Sequence, residues 1–235
     1  MNRPRSHRMG TISNGTKRIL VIAPHGDDEV LGCGGTLAAE AAAGAEITLV
    51  VMAMGGIKHC HLADEAAAAD RLAELEAAAG LLGIARTRVL FPGRDMRLES
   101  VPMLELVTAL DAALAEGCDE CYFPEPSHNL DHRRTHEAML AALRPTGHPC
   151  PGLVATYEGT VAGWDSPAGM GGRLYVDVAA TLETKVAALH AYRSQVRAYP
   201  HPTSEEAVRR LAAMRGLECG LACAERFQVL RMVRR

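Results

Sequence analysis

Short apolar runs alternate with longer Ala- and Leu-rich stretches of helical period through the first two-thirds of the chain. The run 19–23 (ILVIA) is apolar on both faces and rich in β-branched residues, as a buried strand of a parallel sheet requires. Comparable runs over 46–54, 86–91, 120–123 and 153–158 predict further strands, and 175–178 predicts one more. Helices are predicted over 31–44, 64–83, 102–115 and 131–143, ended by Gly or Pro, and then over 181–192 and 204–214. The Gly-rich stretch 159–172, which holds Trp164, reads as a loop over the site, and 222–232 closes the chain. Strand–helix alternation at this spacing predicts an α/β fold, a Rossmann-like doubly wound, mostly parallel sheet with helices on both faces. A single domain is expected over 17–235, behind a flexible basic tail over 1–16.

Composition narrows the classes of function. At 235 residues, one such domain is of ordinary size. A formal net charge of −3 gives no reason to expect nucleic acid or an anionic membrane as partner. No apolar run approaches the ~18 residues of a membrane span. Seven cysteines, odd in number and irregular in spacing, argue against a secreted disulfide framework and for a reducing cytoplasm. A sheet protein of this kind can also self-associate, so a homo-oligomer is possible.

The chemistry gathers where the first strand ends. His25, Asp27, Asp28 and Glu29 follow it directly, and ligands of open α/β sheets bind outside the carboxyl ends of strands. Helix capping accounts for one carboxylate but leaves His25 and the second Asp unexplained. The glycines that follow, Gly32, Gly34 and Gly35, are expected to turn backbone N–H groups toward the crevice. A second cluster, SHNLDHRRTH over 127–136, carries His128, Asp131, His132 and His136 after the fourth strand. Three ligands of the His/Asp type plus an open position make a catalytic zinc site. His25 and Asp28 supply two; His132 is the first choice for the third, and His136, one turn on, is the alternative.

These residues carry a resemblance. PHGDDEVLGCGG (24–35) is similar to the (A/P)HPDDE signature of the PIG-L/LmbE-like zinc-dependent N-deacetylases. Arg71 and Glu74 with Leu82-Gly83 resemble that family's RxxE…LG helix, 91–98 its FPD-type loop, and Asn129-Leu-Asp-His132 its (H/N)xDH segment. Lys185, Tyr192-Arg-Ser-Gln195, Arg215-Gly216 and Ala224-Glu225-Arg226-Phe227 resemble its carboxyl-terminal pattern. The resemblance implies one Zn²⁺, or another divalent metal, held by His25, Asp28 and His132, with Asp27 as general base toward a metal-activated water. Asn129, His128, Asp131 and Arg71 complete the catalytic set it suggests. The implied reaction removes an N-acyl group, most simply acetyl, from a small-molecule amino sugar or glycoconjugate.

Two departures stand out. Gly26 replaces a frequent Pro, a change expected to matter little at a turn. Asn129 replaces the His that stabilises the oxyanion in many members; an Asn amide can donate to an oxyanion but cannot protonate a leaving group. His128 or Arg71 are the compensating candidates. The competing reading is a metal- and sugar-binding relative without turnover.

Overall fold

The computed structural model describes residues 15–55, 68–145, 148–159 and 172–234. Most of the expected tail, His59 and His61, the first residues of the 64–83 helix and Trp164 with its loop lie outside them.

In chain order the elements are β1 (Arg18–Ala23), α1 (Asp28–Ala42), β2 (Glu46–Met54), α2 (Ala68–Leu82), β3 (Arg86–Pro92), α3 (Met103–Ala115), β4 (Glu120–Pro124), α4 (Leu130–Ala142), β5 (Leu153–Tyr157), β6 (Gly172–Asp177), α5 (Leu182–Ala191), α6 (Glu205–Leu217) and β7 (Ala224–Met232). The sheet order is β3-β2-β1-β4-β5-β7-β6. β1 to β5 run parallel, while β7 is antiparallel to both β5 and β6. The closing segment is thus a strand inserted between two others rather than an addition at the edge.

β1 explains the arrangement. Its alternate residues enter different cores: Ile19, Val21 and Ala23 pack with Leu75 and Leu82 of α2 and Leu189 of α5. Leu20 and Ile22 pack with Leu106 and Leu110 of α3 and Met139 of α4. A strand apolar on both faces can only be central. The chain turns from β1 to β2 on one side and later to β4 on the other, so the strand order reverses beside β1, where a crevice opens at the carboxyl ends.

α1 begins three residues before the predicted 31–44 helix does and is kinked, with Cys33 at φ −144°, ψ 15°. A buried ion pair fills the kink. Lys185 Nζ lies 2.6 Å from Glu225 Oε1 and donates to the carbonyl of Leu31 at 2.9 Å. Glu225 accepts the N–H groups of Gly35 at 2.9 Å and Thr36 at 2.7 Å. The cation caps the carbonyl end of the first turn and the anion caps the amide end of the next, each favoured by the local helix dipole. The free N–H groups of the glycine-rich stretch are therefore taken by Glu225 inside the protein, contrary to the expectation that they face the crevice. At Gly32 the need is space, because a Cβ there would sit 2.2 Å from the ring of Tyr157.

Candidate metal centre

The corner between β1 and α1 is held in a costly shape. Asp27 adopts φ 123°, ψ −27°, a region that a residue with a Cβ rarely enters, at a cost of about 1–3 kcal/mol. Bonds on both sides maintain it. Asp27 N–H donates to Glu29 Oε2 at 3.2 Å, and Arg71 Nη2 donates to the Gly26 carbonyl at 3.1 Å. A Cβ at Gly26 would lie 2.2 Å from the Met54 methyl, the far end of a flexible side chain that can shift to make room. Asp27 makes no side-chain cap bond to α1, and Asp28 Oδ2 accepts the N–H of His25 at 3.0 Å.

The second corner carries His132. Asn129 caps α4, its Oδ1 accepting the N–H of Asp131 at 2.9 Å, which sets His132 on the first turn facing β1. Asp28 Oδ2 is 3.3 Å from His25 Nδ1 and 3.3 Å from His132 Nε2. Ligand atoms of His25, Asp28 and His132 all lie within 4.8 Å of one another, the one such group among the described residues. His136 is elsewhere: its Nδ1 pairs with the Pro124 carbonyl at 2.9 Å and its ring packs on Phe123, so the alternative third ligand is ruled out by position.

Asp131, fully buried, accepts from His25 Nε2 at 2.9 Å and from the Leu98 N–H at 2.9 Å. It fixes the tautomer that leaves His25 Nδ1 for a cation, as carboxylates behind metal-ligating histidines do. Burial opposes charging of His25, yet hydrogen bonds to Asp131 and Asp28 outweigh it and raise the imidazole to about 10. Burial also opposes charging of Asp28, and His132 and His25 overcome it, holding the carboxyl well below its ordinary range. Asp27 goes the other way: burial and the neighbouring Asp28 push it well up.

Two residues that the helical pattern at 71 and 74 singles out are braces. Arg71, 1% exposed, spends Nη1 on Asp95 at 2.9 Å and Nη2 on Gly26, so its guanidinium supports the strained turn. Glu74 accepts the N–H of Ser194 at 2.8 Å and its hydroxyl at 2.6 Å, anchoring the Tyr192–Gln195 turn. Tyr192 in turn donates to Glu29 Oε1 at 2.6 Å, and burial raises Glu29 to about 7. Asp95 lies in the loop after β3, and the sequence pattern assigns it no role; among the described residues its buried Oδ2 has no hydrogen-bond partner. His128 is exposed beside the corner, and Asn129 keeps its Nδ2 only 3.9 Å from Met96 Sδ, a weak contact.

Comparison with known proteins gives this geometry its setting. The pattern of the PIG-L family, described as GlcNAc-PI de-N-acetylase, matches residues 20–143, more than half of the chain, including the corners that carry His25, Asp28 and His132. The chain belongs to the PIG-L family. A 1D-myo-inositol 2-acetamido-2-deoxy-α-D-glucopyranoside deacetylase from Nakamurella multipartita is 33% identical over 173 residues, covering 59% of this chain and 58% of the relative. The chain thus spans somewhat over half the length of that relative. Among solved structures, the N,N'-diacetylchitobiose deacetylase from Pyrococcus horikoshii matches with TM-score 0.73 and 26% identity, over 91% of this chain and 84% of the other. A conserved protein from Thermus thermophilus matches with TM-score 0.72 and 26% identity, over 92% and 96%. Both share the family's mixed, mostly parallel sheet. Among the described residues no helix is long and apolar enough to cross a membrane.

Proposed function

We propose that the protein is a divalent-metal-dependent hydrolase that removes an N-acetyl group from an amino sugar or its conjugate. The observation that carries this reading is the meeting of His25 Nδ1, Asp28 and His132 beside the Asp27 carboxylate, in a chain of a family whose named relatives deacetylate N-acetylglucosamine-containing compounds.

The donor set fits the cation. Two imidazoles and one carboxylate at one point suit zinc, and the carboxylates that raise the His25 imidazole favour positive charge at this position. Held by these residues, zinc supplies Lewis acidity, which acidifies water and polarises an amide carbonyl. The chain's own residues do the rest. Asp27, strained and buried, takes the proton of the attacking water and returns it to the departing amine. Among the described residues nothing hydrogen-bonds its carboxylate, in contrast with Asp28 and Asp131, so it is available. Asp131 and Asn129 keep the two corners in register. Asn129 spends its oxygen on the helix and retains its amide N–H groups, which we assign to the developing oxyanion in place of the family's frequent His.

Zinc-loaded protein incubated with N-acetylglucosamine, N,N'-diacetylchitobiose and an inositol glycoside of N-acetylglucosamine should release acetate and a free amine. Stoichiometric metal with no acetate from any of a broad panel of N-acyl amines would replace this reading with that of a binding protein.

A further inference from the structure

Beyond the metal corner, the carboxyl ends of β4 and β5 and the amino end of β7 carry a second group of charges. Glu158 uses both oxygens: Arg215 Nε and Nη2 donate to it at 2.8 and 2.6 Å, and Arg226 Nη2 donates at 3.0 Å. Arg215 also reaches Glu218, which accepts from the Tyr175 hydroxyl at 2.6 Å. This part of the group is closed. Its other end is less engaged. Among the described residues, Arg226 commits only Nη2, and the one ion-pair partner of Glu125 is that same nitrogen at 3.8 Å, too far for a hydrogen bond. Both side chains are largely buried yet keep some exposure, 16% for Glu125 and 18% for Arg226. Burial raises the Glu125 carboxyl, as expected of an acid with weak compensation. A buried charge without hydrogen bonds is costly and marks a place where an outside group can supply them.

Register fixes where this end lies. β1 pairs β4 as Ile19↔Glu120, Leu20↔Cys121 and Val21↔Tyr122, so the same count carried past the strand ends brings Glu125 level with Pro24, the residue before His25. Glu125 N–H donates to the Tyr157 carbonyl at 2.8 Å, Tyr157 pairs with Phe227, and Arg226 is its neighbour. The ends of β4 and β5 therefore lie one and two strand spacings, about 5 and 10 Å, from the metal corner. A unit joined to an acetamido sugar held at the metal corner would come within reach of these strand ends. The charges also indicate its chemistry. Among the described residues, Glu125, Glu158 and Glu218 balance Arg226, Arg215 and Arg173, whose charge also acts on Glu125, so these side chains have no net charge to offer a phosphate or an amine. A free carboxylate edge and free guanidinium N–H groups together suit hydroxyls, which donate and accept.

We infer that Glu125 and Arg226 form a ledge recognising a neutral, hydroxyl-rich unit linked to the acetamido sugar, and so set the choice between a conjugate and a free monosaccharide. The inference rests on the reaction proposed above. It is tested by the ratio of kcat/KM for the inositol glycoside and N,N'-diacetylchitobiose to that for N-acetylglucosamine, in wild type, Glu125→Gln and Glu125→Ala. Loss of about one charge-assisted hydrogen bond should lower this ratio roughly tenfold in Glu125→Ala, through KM rather than kcat, and less in Glu125→Gln. Arg226→Lys, judged beside a thermal melt, should lower it as well. A ratio within twofold of wild type in Glu125→Ala, or an equal fall for all three substrates, overturns the ledge and leaves the deacetylase reading intact. Turnover of none of them by wild type overturns both.

Discussion

Helix α1 meets buried charge at two places, and they are built on opposite plans. At its kink, Lys185 and Glu225 meet each other and the orphaned backbone groups of the helix, so every charge has a partner within the chain. At its amino end, Asp27, Asp28 and Asp131 lie about His25, whose imidazole is raised against burial by Asp131 and Asp28 while burial pushes Asp27 up. The first arrangement is complete and holds the helix. The second gathers the donor set proposed for a cation, and the strained backbone of Asp27 lies beside it. Both contain buried ionisable groups of similar type, so burial of charge alone does not mark a functional site. Donor atoms converging on one point do.

The largest expected effect separates the two regions by activity. Asp27→Asn should lower kcat by 10²–10⁴-fold with metal content unchanged; retained turnover in a metal-loaded variant places the base elsewhere. The kink, by contrast, should respond in stability. Lys185→Met or Glu225→Gln leaves one buried charge without its partner and should cost about 3–5 kcal/mol in chemical denaturation. The double substitution Lys185→Met with Glu225→Met should regain part of that loss, since no lone charge remains; the same treatment of Asp28 and His132 should not regain metal affinity.

Next in size is the support of His25. Asp131→Asn removes the carboxylate behind the imidazole and should weaken metal binding about 10–100-fold, measured by competition with a chelator. An unchanged affinity would mean that His25 is held by packing alone. Asn129→Ala should cost about 1 kcal/mol through loss of the α4 cap, and its effect on kcat separates the oxyanion role from the cap, because Asn129→Asp keeps the cap and lacks the donor.

Acidity offers a finer comparison. The folded value for His25, about 10, lies above its ordinary 6.5. Protonation therefore stabilises the metal-free protein fully below pH 6.5, and that contribution fades as the pH rises through 10. Metal displaces this proton, so affinity should increase with pH over the same range and the metal-loaded protein should lose this part of the dependence. Melting curves of the two forms from pH 6.5 to 10 compare them; parallel curves would remove His25 from the metal centre.

The sequence made the local parts of this picture legible. The two-sided apolar run at 19–23 announced a central strand, and HxDDE at its end placed His25 and Asp28 on one corner because three residues suffice to turn both toward a point. The parallel order of strands then brought 127–136 to the same edge. What stayed hidden depends on distant pairs. Nothing near Gly35 reveals that a carboxylate 190 residues away caps its N–H, so the glycines read as a ligand loop. Arg71 had a charge to offer and no visible partner, because Asp95 lies in another loop and Gly26 contributes only a carbonyl. His136 and His132 were equivalent by spacing, and a carbonyl of β4 decides between them.

The account stands on a single cation at the corner of β1 and α4. Anomalous diffraction at the zinc edge from zinc-soaked crystals tests it most directly. One peak ligated by His25 Nδ1, Asp28 and His132, absent in His132→Ala, is the predicted result. A peak elsewhere, or a pair of metals at the corner, contradicts it.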